Sequence, residues 1–141
     1  MTAAQYVAAA PTEGRSGLLW TGRVLSGLVV LFLLFDGAIK LVPLQVVIDT
    51  VIPLGWPTDA TTWRALGIVL IASALLYAYP RTSVLGAILI TAYLGGAVAT
   101  HMRVGSPLFS HTLFGVYLGV LLWAGLWLRN PRVRALLPMA R

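Results

Sequence analysis

Four apolar runs, each about as long as a bilayer is thick, leave this chain few folds to choose from. The expected spans are residues 24–41, 63–79, 84–101 and 112–128. A membrane-crossing helix needs about 20 predominantly apolar residues, each adding 1.5 Å. Residues 24–41 would reach about 27 Å on that rise, close to the hydrocarbon thickness. Apolar residues make up 59% of the 141 and charged ones only 10%, against about 25% charged in ordinary soluble domains. A soluble fold could not hide that much apolar surface. The expected fold is therefore all-α, a bundle of four transmembrane helices.

The connections refine this expectation. Pro43 ends the first span, and Pro80 stops the second. Thr61 or Thr62 is placed to cap the second span at its start. The four residues from Pro80 to Ser83 are too few for anything but a tight turn, so the second and third helices must be antiparallel neighbours. The longest connection carries Leu44, Val47, Ile48 and Val51 at helical spacing. It reads as a short interfacial amphipathic segment between helices 1 and 2, closed by Pro53, Gly55 and Pro57. An apolar loop packed over the bundle mouth is the alternative.

Residues 1–17 have no basic stretch followed by an apolar one, so a mobile cytoplasmic tail is expected there in place of a cleaved signal peptide. The first span then acts as the targeting signal of a membrane domain covering 18–129, and 130–141 form a basic cytoplasmic tail. The net charge is +6. Arg15, Arg23, Arg81, Arg129, Arg132, Arg134 and Arg141, seven of the ten basic residues, fall on the face that carries both termini. By the positive-inside rule that face is cytoplasmic, which makes the chain a multi-pass protein of the inner membrane. The same asymmetry assigns the positive charge to topology and membrane lipid, not to nucleic acid.

Zero cysteines exclude disulfide exchange, covalent c-type haem and cysteine-ligated clusters within the chain. No phosphate loop, dinucleotide fingerprint, zinc-protease helix or nucleophile elbow occurs. Trp20, Trp56, Trp63, Trp123 and Trp127 fall mostly at expected interfaces, where they read as membrane anchors.

Against this apolar background, Asp36 and Lys40 stand out. They are four residues apart, hence one helical turn apart on the same face. An ionisable group costs about 2.5–3.5 kcal/mol at mid-membrane on insertion scales, so such residues face a bundle interior, a cavity or the interface. Four antiparallel spans bring further polar residues to the same end: Arg64 opening the second helix, His101 and Arg103 closing the third, and His111 opening the fourth. Tyr93 shares a helix face with Ala97 and His101 and lies deeper. Three readings stay open for the cluster: charges that pin helices together, a site for the polar head of a quinone or lipid, and a metal or haem site on His101 and His111. Two histidines ten residues apart with at most one carboxylate have no specific ligand spacing, so no metal is assigned.

Small residues recur four apart in Gly22-x-x-x-Ser26, Gly95-x-x-x-Ala99 and Gly115-x-x-x-Gly119. Such ridges let helix backbones approach closely. They serve packing inside the bundle or, in the last case, a homodimer.

The end of the first helix, Leu33-Leu34-Phe35-Asp36-Gly37-Ala38-Ile39-Lys40-Leu41, resembles the phenylalanine, glycine and lysine pattern of DoxX-like membrane proteins. The stretch from Tyr93 through Gly95 and Gly96 to His101, together with the fourth helix, extends the similarity over roughly 18–128. The resemblance implies a small four-helix inner-membrane protein. Some relatives are linked to quinone-dependent sulfur oxidation or membrane oxidoreductase complexes, others to assembly of membrane proteins. Phe35, Gly37, Lys40, Gly95, Gly96 and His101 are the positions that match, and the resemblance implies that they are site or packing residues, with Phe35, Gly37, Gly95 and Gly96 on the packing side.

These readings combine into one expectation: a protein that binds an amphipathic ligand, a quinone or lipid, in a polar cavity near the outer leaflet. It would serve a membrane oxidoreductase system as a subunit or accessory. Lys40 and Arg64 would hold the headgroup, Asp36 would orient Lys40, and His101 would exchange a proton, with Tyr93, Arg103 and His111 close by. The alternative is a non-catalytic assembly protein that presents its helices to a membrane-protein partner.

Overall fold

The computed structural model describes residues 12–42 and 44–137, and side chains from Ser16 onward. Pro43, most of the expected N-terminal tail and the last four residues lie outside the described residues. Among the described residues there are helices and turns and no strand. The helices are α1 (Thr12–Leu41), α2 (Gln45–Val51), α3 (Ala60–Ala78), α4 (Ser83–Arg103), α5 (Phe114–Arg129) and α6 (Pro131–Leu136). Four segments are long and apolar enough to cross a membrane: Ser16–Leu41, Ala60–Ala78, Ser83–Arg103 and Leu108–Arg129.

α1 packs on α3 and α5, and α4 packs on the same two helices. The four spans therefore form a ring in which every neighbour is antiparallel. Leu33, Leu70, Ile90 and Leu122, one from each helix, are almost fully buried at its centre. Outward residues such as Leu31, Phe35, Ile68 and Val120 remain exposed, as expected where lipid replaces water as the solvent.

Close approach of backbones sets the ring. A Cβ on Gly67 would come within 2.7 Å of the Gly37 carbonyl, and one on Gly22 within 2.8 Å of the Arg129 nitrogen. α1 can press against α3 and α5 only because those positions lack side chains. In the α3–α4 hairpin a Cβ on Gly86 would fall within 2.5 Å of the Tyr77 Cα. The hairpin also uses up the orphan carbonyls at the end of α3, since Thr82 Oγ1 donates to Leu76 O at 2.7 Å and the Arg129 guanidinium to Tyr77 O at 2.9 Å.

The interfacial segment is α2 followed by a 3-10 turn over Ile52–Leu54, and Gly55 closes it at φ +68°. Val47 and Val51 bury against Trp63, with Ile39 and Leu66 at the edge of the cluster. Trp63 is thus a core residue of this end and not a belt anchor, and its Nε1 donates to Pro57 O at 2.7 Å.

Other local expectations need correction. The N-cap of α3 is Asp59, not Thr61 or Thr62, because its carboxylate accepts from Thr62 N at 2.9 Å. Part of the basic C-terminal tail is helical: Asn130 caps α6 with Pro131 in its first turn, and Val133 is buried against the bundle. α1 begins at Thr12, within the stretch expected to be a tail.

Candidate functional site

The C-terminus of α4 shapes the polar end of the bundle. Gly105 has φ +68°, Ser106 N donates to His101 O at 3.0 Å, and Gly105 N to Met102 O at 3.2 Å. These are the two bonds of a Schellman cap, in which glycine takes the left-handed position without steric cost. The cap folds Ser106 back over His101, leaving Ser106 Oγ 3.0 Å from His101 Nδ1. Pro107 then leads into a π-turn over Leu108–Thr112 that re-enters the fourth span. Thr112, buried, donates to Ser106 O at 3.3 Å and ties the turn to the cap.

This route carries His111 back onto His101. The two rings meet edge to face with centroids 5.8 Å apart. Ser110 Oγ lies 2.8 Å from His111 Nδ1. Each imidazole is therefore fixed by a serine at Nδ1, and among the described residues neither Nε2 has a hydrogen-bond partner. A serine hydroxyl can donate to Nδ1 or accept from it, so each Nε2 can either offer a proton or receive one.

The charged residues of this end are occupied differently. Lys40 Nζ is 2.5 Å from the Asp36 carboxylate and also donates to Asp36 O at 3.2 Å. Among the described residues this is the one ion pair, with Lys40 only 15% and Asp36 30% exposed. Tyr93 is half-buried and packs against the central core. Neither Arg64 nor Arg103 reaches Asp36. Arg64 Nε donates to Leu41 O at 3.3 Å, so it holds the end of α1. Arg103 donates to Leu54 O at 2.6 Å beneath Gly55, which joins the α4 terminus to the interfacial turn.

Six of the seven expected site residues lie toward the polar end, and Tyr93 sits midway along α4 against the central core. Between Lys40, Val47, Trp63 and Arg64 there is a gap of about 20 Å³, room for roughly one water. Among the described residues no group of three or more His, Asp or Glu side chains is placed to hold a metal. Of the expected packing glycines, Gly37 and Gly115 face neighbouring helices, with Gly115 against Leu94 and Val98 of α4. Gly119 only touches Leu94, and Gly95 and Gly96 have nothing within 4 Å where a side chain would stand. Phe35 is 67% exposed on the outer surface of α1. Phe35, Gly95 and Gly96 all lie on outward faces, so among the described residues they make no helix contact of the expected kind.

The His101–His111 contact is the feature that spacing alone missed. Gly105 is one part of its signal, a glycine just past the C-cap Val104 of a helix whose last turn is basic, which is where a left-handed cap reverses the chain.

The DoxX-like family model matches residues 24–125, which takes in α3 and α4 whole and most of α1 and α5. No curated protein and no solved structure matches the chain.

Proposed function

Because the chain belongs to the DoxX-like family, whose match covers the bundle and its polar end, we propose that it binds the polar head of an amphipathic ligand at His101 and His111. The head is of the quinone class and its tail lies in the surrounding bilayer. The observation that carries this reading is the paired imidazoles, each anchored at Nδ1 and open at Nε2. Two such groups can donate to the carbonyl oxygens of a quinone and accept from the hydroxyls of the quinol, so one site suits both redox forms. The chain has no cysteine and no cofactor motif of its own. It would hold or deliver the ligand as a subunit or accessory of a membrane oxidoreductase system, while electrons move through a partner.

In this reading the Asp36–Lys40 pair and the Arg64 and Arg103 bonds to carbonyls position the helices around the histidines. The protein would lie in the cytoplasmic membrane with both termini inside, because seven of ten basic residues fall on the terminal face. The test is a titration of the detergent-purified protein with a short-tailed quinone, followed by quenching of the tryptophans near the polar end, Trp56 and Trp63. Saturable quenching that disappears in both His101→Ala and His111→Ala is expected. Equal quenching in wild type and both variants would overturn the proposal.

A further inference from the structure

The other end of the bundle carries a second feature, independent of the histidine pair. α4 and α5 touch where Gly115 meets Leu94 and Val98, but below that point Gly95 and Gly119 leave a gap. The result is a groove of about 1050 Å³ along the outer flank of α5, from Gly115 down to Leu128 and Leu137. It is just above the roughly 300–1,000 Å³ range of ligand clefts. Its wall is apolar, and the polar groups of Thr91 and Trp123 satisfy each other across it, with Trp123 Nε1 donating to Thr91 Oγ1 at 2.9 Å.

One arginine, Arg134, stands beside the lower end of the groove. α6 folds back so that Trp127 Nε1 donates to Leu137 O at 3.1 Å, and both residues line the groove. Arg134 stacks on the Trp127 ring at 5.1 Å and donates to Leu128 O, with Nε toward Trp127 O at 3.4 Å. Its remaining nitrogen is left for another acceptor. Arg132, two residues earlier, lies on a different face of the same helix and is exposed. Of the four acidic residues in the chain only Glu13 belongs to this face.

An apolar trough that ends beside a guanidinium, at the level where lipid headgroups lie, has the two-part chemistry of a phospholipid site. We infer that the groove between α4 and α5 binds an anionic phospholipid of the leaflet on the terminal side. Its acyl chain lies along Gly95, Gly119 and Trp123, and its phosphate is held by Arg134, which packs on the groove residues Trp127 and Leu128. Charge complementarity selects this occupant: a second copy of the chain would bring the same arginine to the same mouth, whereas an anionic headgroup neutralises it.

Native mass spectrometry of the full chain, released from mixed micelles of phosphatidylglycerol and phosphatidylcholine, tests this. Wild type should retain phosphatidylglycerol over phosphatidylcholine by roughly fivefold, the preference one guanidinium confers at a membrane surface. Arg134→Gln should lose that preference, and Arg132→Gln should keep most of it. Gly119→Leu, where a Cβ would meet nothing closer than Leu94 Cδ1 at 3.9 Å, should fill the groove and release the lipid with helicity unchanged. Equal retention of the two lipids by wild type would overturn the inference. So would a lipid-free dimer that Gly119→Leu dissociates, or lipid retention unaffected by Gly119→Leu.

Discussion

Ser26 donates its hydroxyl to the phenol oxygen of Tyr77 across 2.9 Å, because the phenol proton is already given to Leu122 O at 2.7 Å. One buried side chain of α3 thereby fastens α1 and α5 together. Ser26 can approach only because Gly125 has no Cβ, which would stand 2.7 Å from its Oγ. Tyr77→Phe should lower stability by about 0.6–1.7 kcal/mol, the range of interhelical hydrogen bonds in membrane proteins. Ser26→Ala should cost less, since the bond to Leu122 survives. Unfolding in mixed detergent of both variants and the double mutant checks the order, and Ser26→Ala costing more than Tyr77→Phe would contradict it.

Glycines divide into those that set helix contacts and those that do not. Gly86→Ala drives a methyl into the Tyr77 backbone and should markedly reduce folded yield, whereas Gly95→Ala and Gly96→Ala meet open space and should leave the melting temperature nearly unchanged. Thermal scans of the three purified variants decide it. A tolerated Gly86→Ala would mean that the α3–α4 hairpin is not as close as described.

The Asp36–Lys40 pair should behave as a structural pin. Asp36→Asn leaves the 15% exposed ammonium without its carboxylate, at a cost of about 1–2 kcal/mol, between the values for exposed and buried pairs. Asp36→Lys/Lys40→Asp should recover most of what either single exchange loses. Failure of the swap to recover stability would show that the order of the two charges matters.

The Asp59 cap gives a pH dependence with a definite sign. Hydrogen bonds from the Thr62 backbone and hydroxyl lower its pKa below 3.8. A carboxylate with a depressed folded-state pKa stabilises above the unfolded value of 3.8, and this contribution is lost as pH falls through the lowered folded value. Asp59→Asn, which still offers a capping oxygen, should keep most of the neutral-pH stability and flatten the acid limb of a denaturation profile. An unchanged acid limb would remove Asp59 from the account.

How much of this was legible in the sequence depended on how local each signal is. The spans and the antiparallel α3–α4 hairpin follow from apolar run length and from the short link beginning at Pro80, so they were readable. The α3 cap was misplaced by two or three residues, because Asp59 reaches forward to Thr62 while the threonines lie inside the first turn. α6 was hidden in a run of arginines, although Asn130-Pro131 is a cap followed by a first-turn proline. Arg64 and Arg103 were gathered correctly at one end, but their choice of the carbonyls of Leu41 and Leu54 over Asp36 depends on side-chain reach in three dimensions. The His101–His111 contact required the Schellman cap at Gly105 and the π-turn to act together, and neither alone predicts it.

Ligand content of the protein purified in mild detergent, by native mass spectrometry with a parallel ultraviolet–visible spectrum, is the most direct test of the histidine site. Wild type should carry a quinone-sized adduct with a reducible ultraviolet absorbance, absent from His101→Ala and His111→Ala and retained in the charge-swapped Asp36→Lys/Lys40→Asp protein. A spectrally empty wild type, or an adduct that survives loss of both histidines, would contradict it.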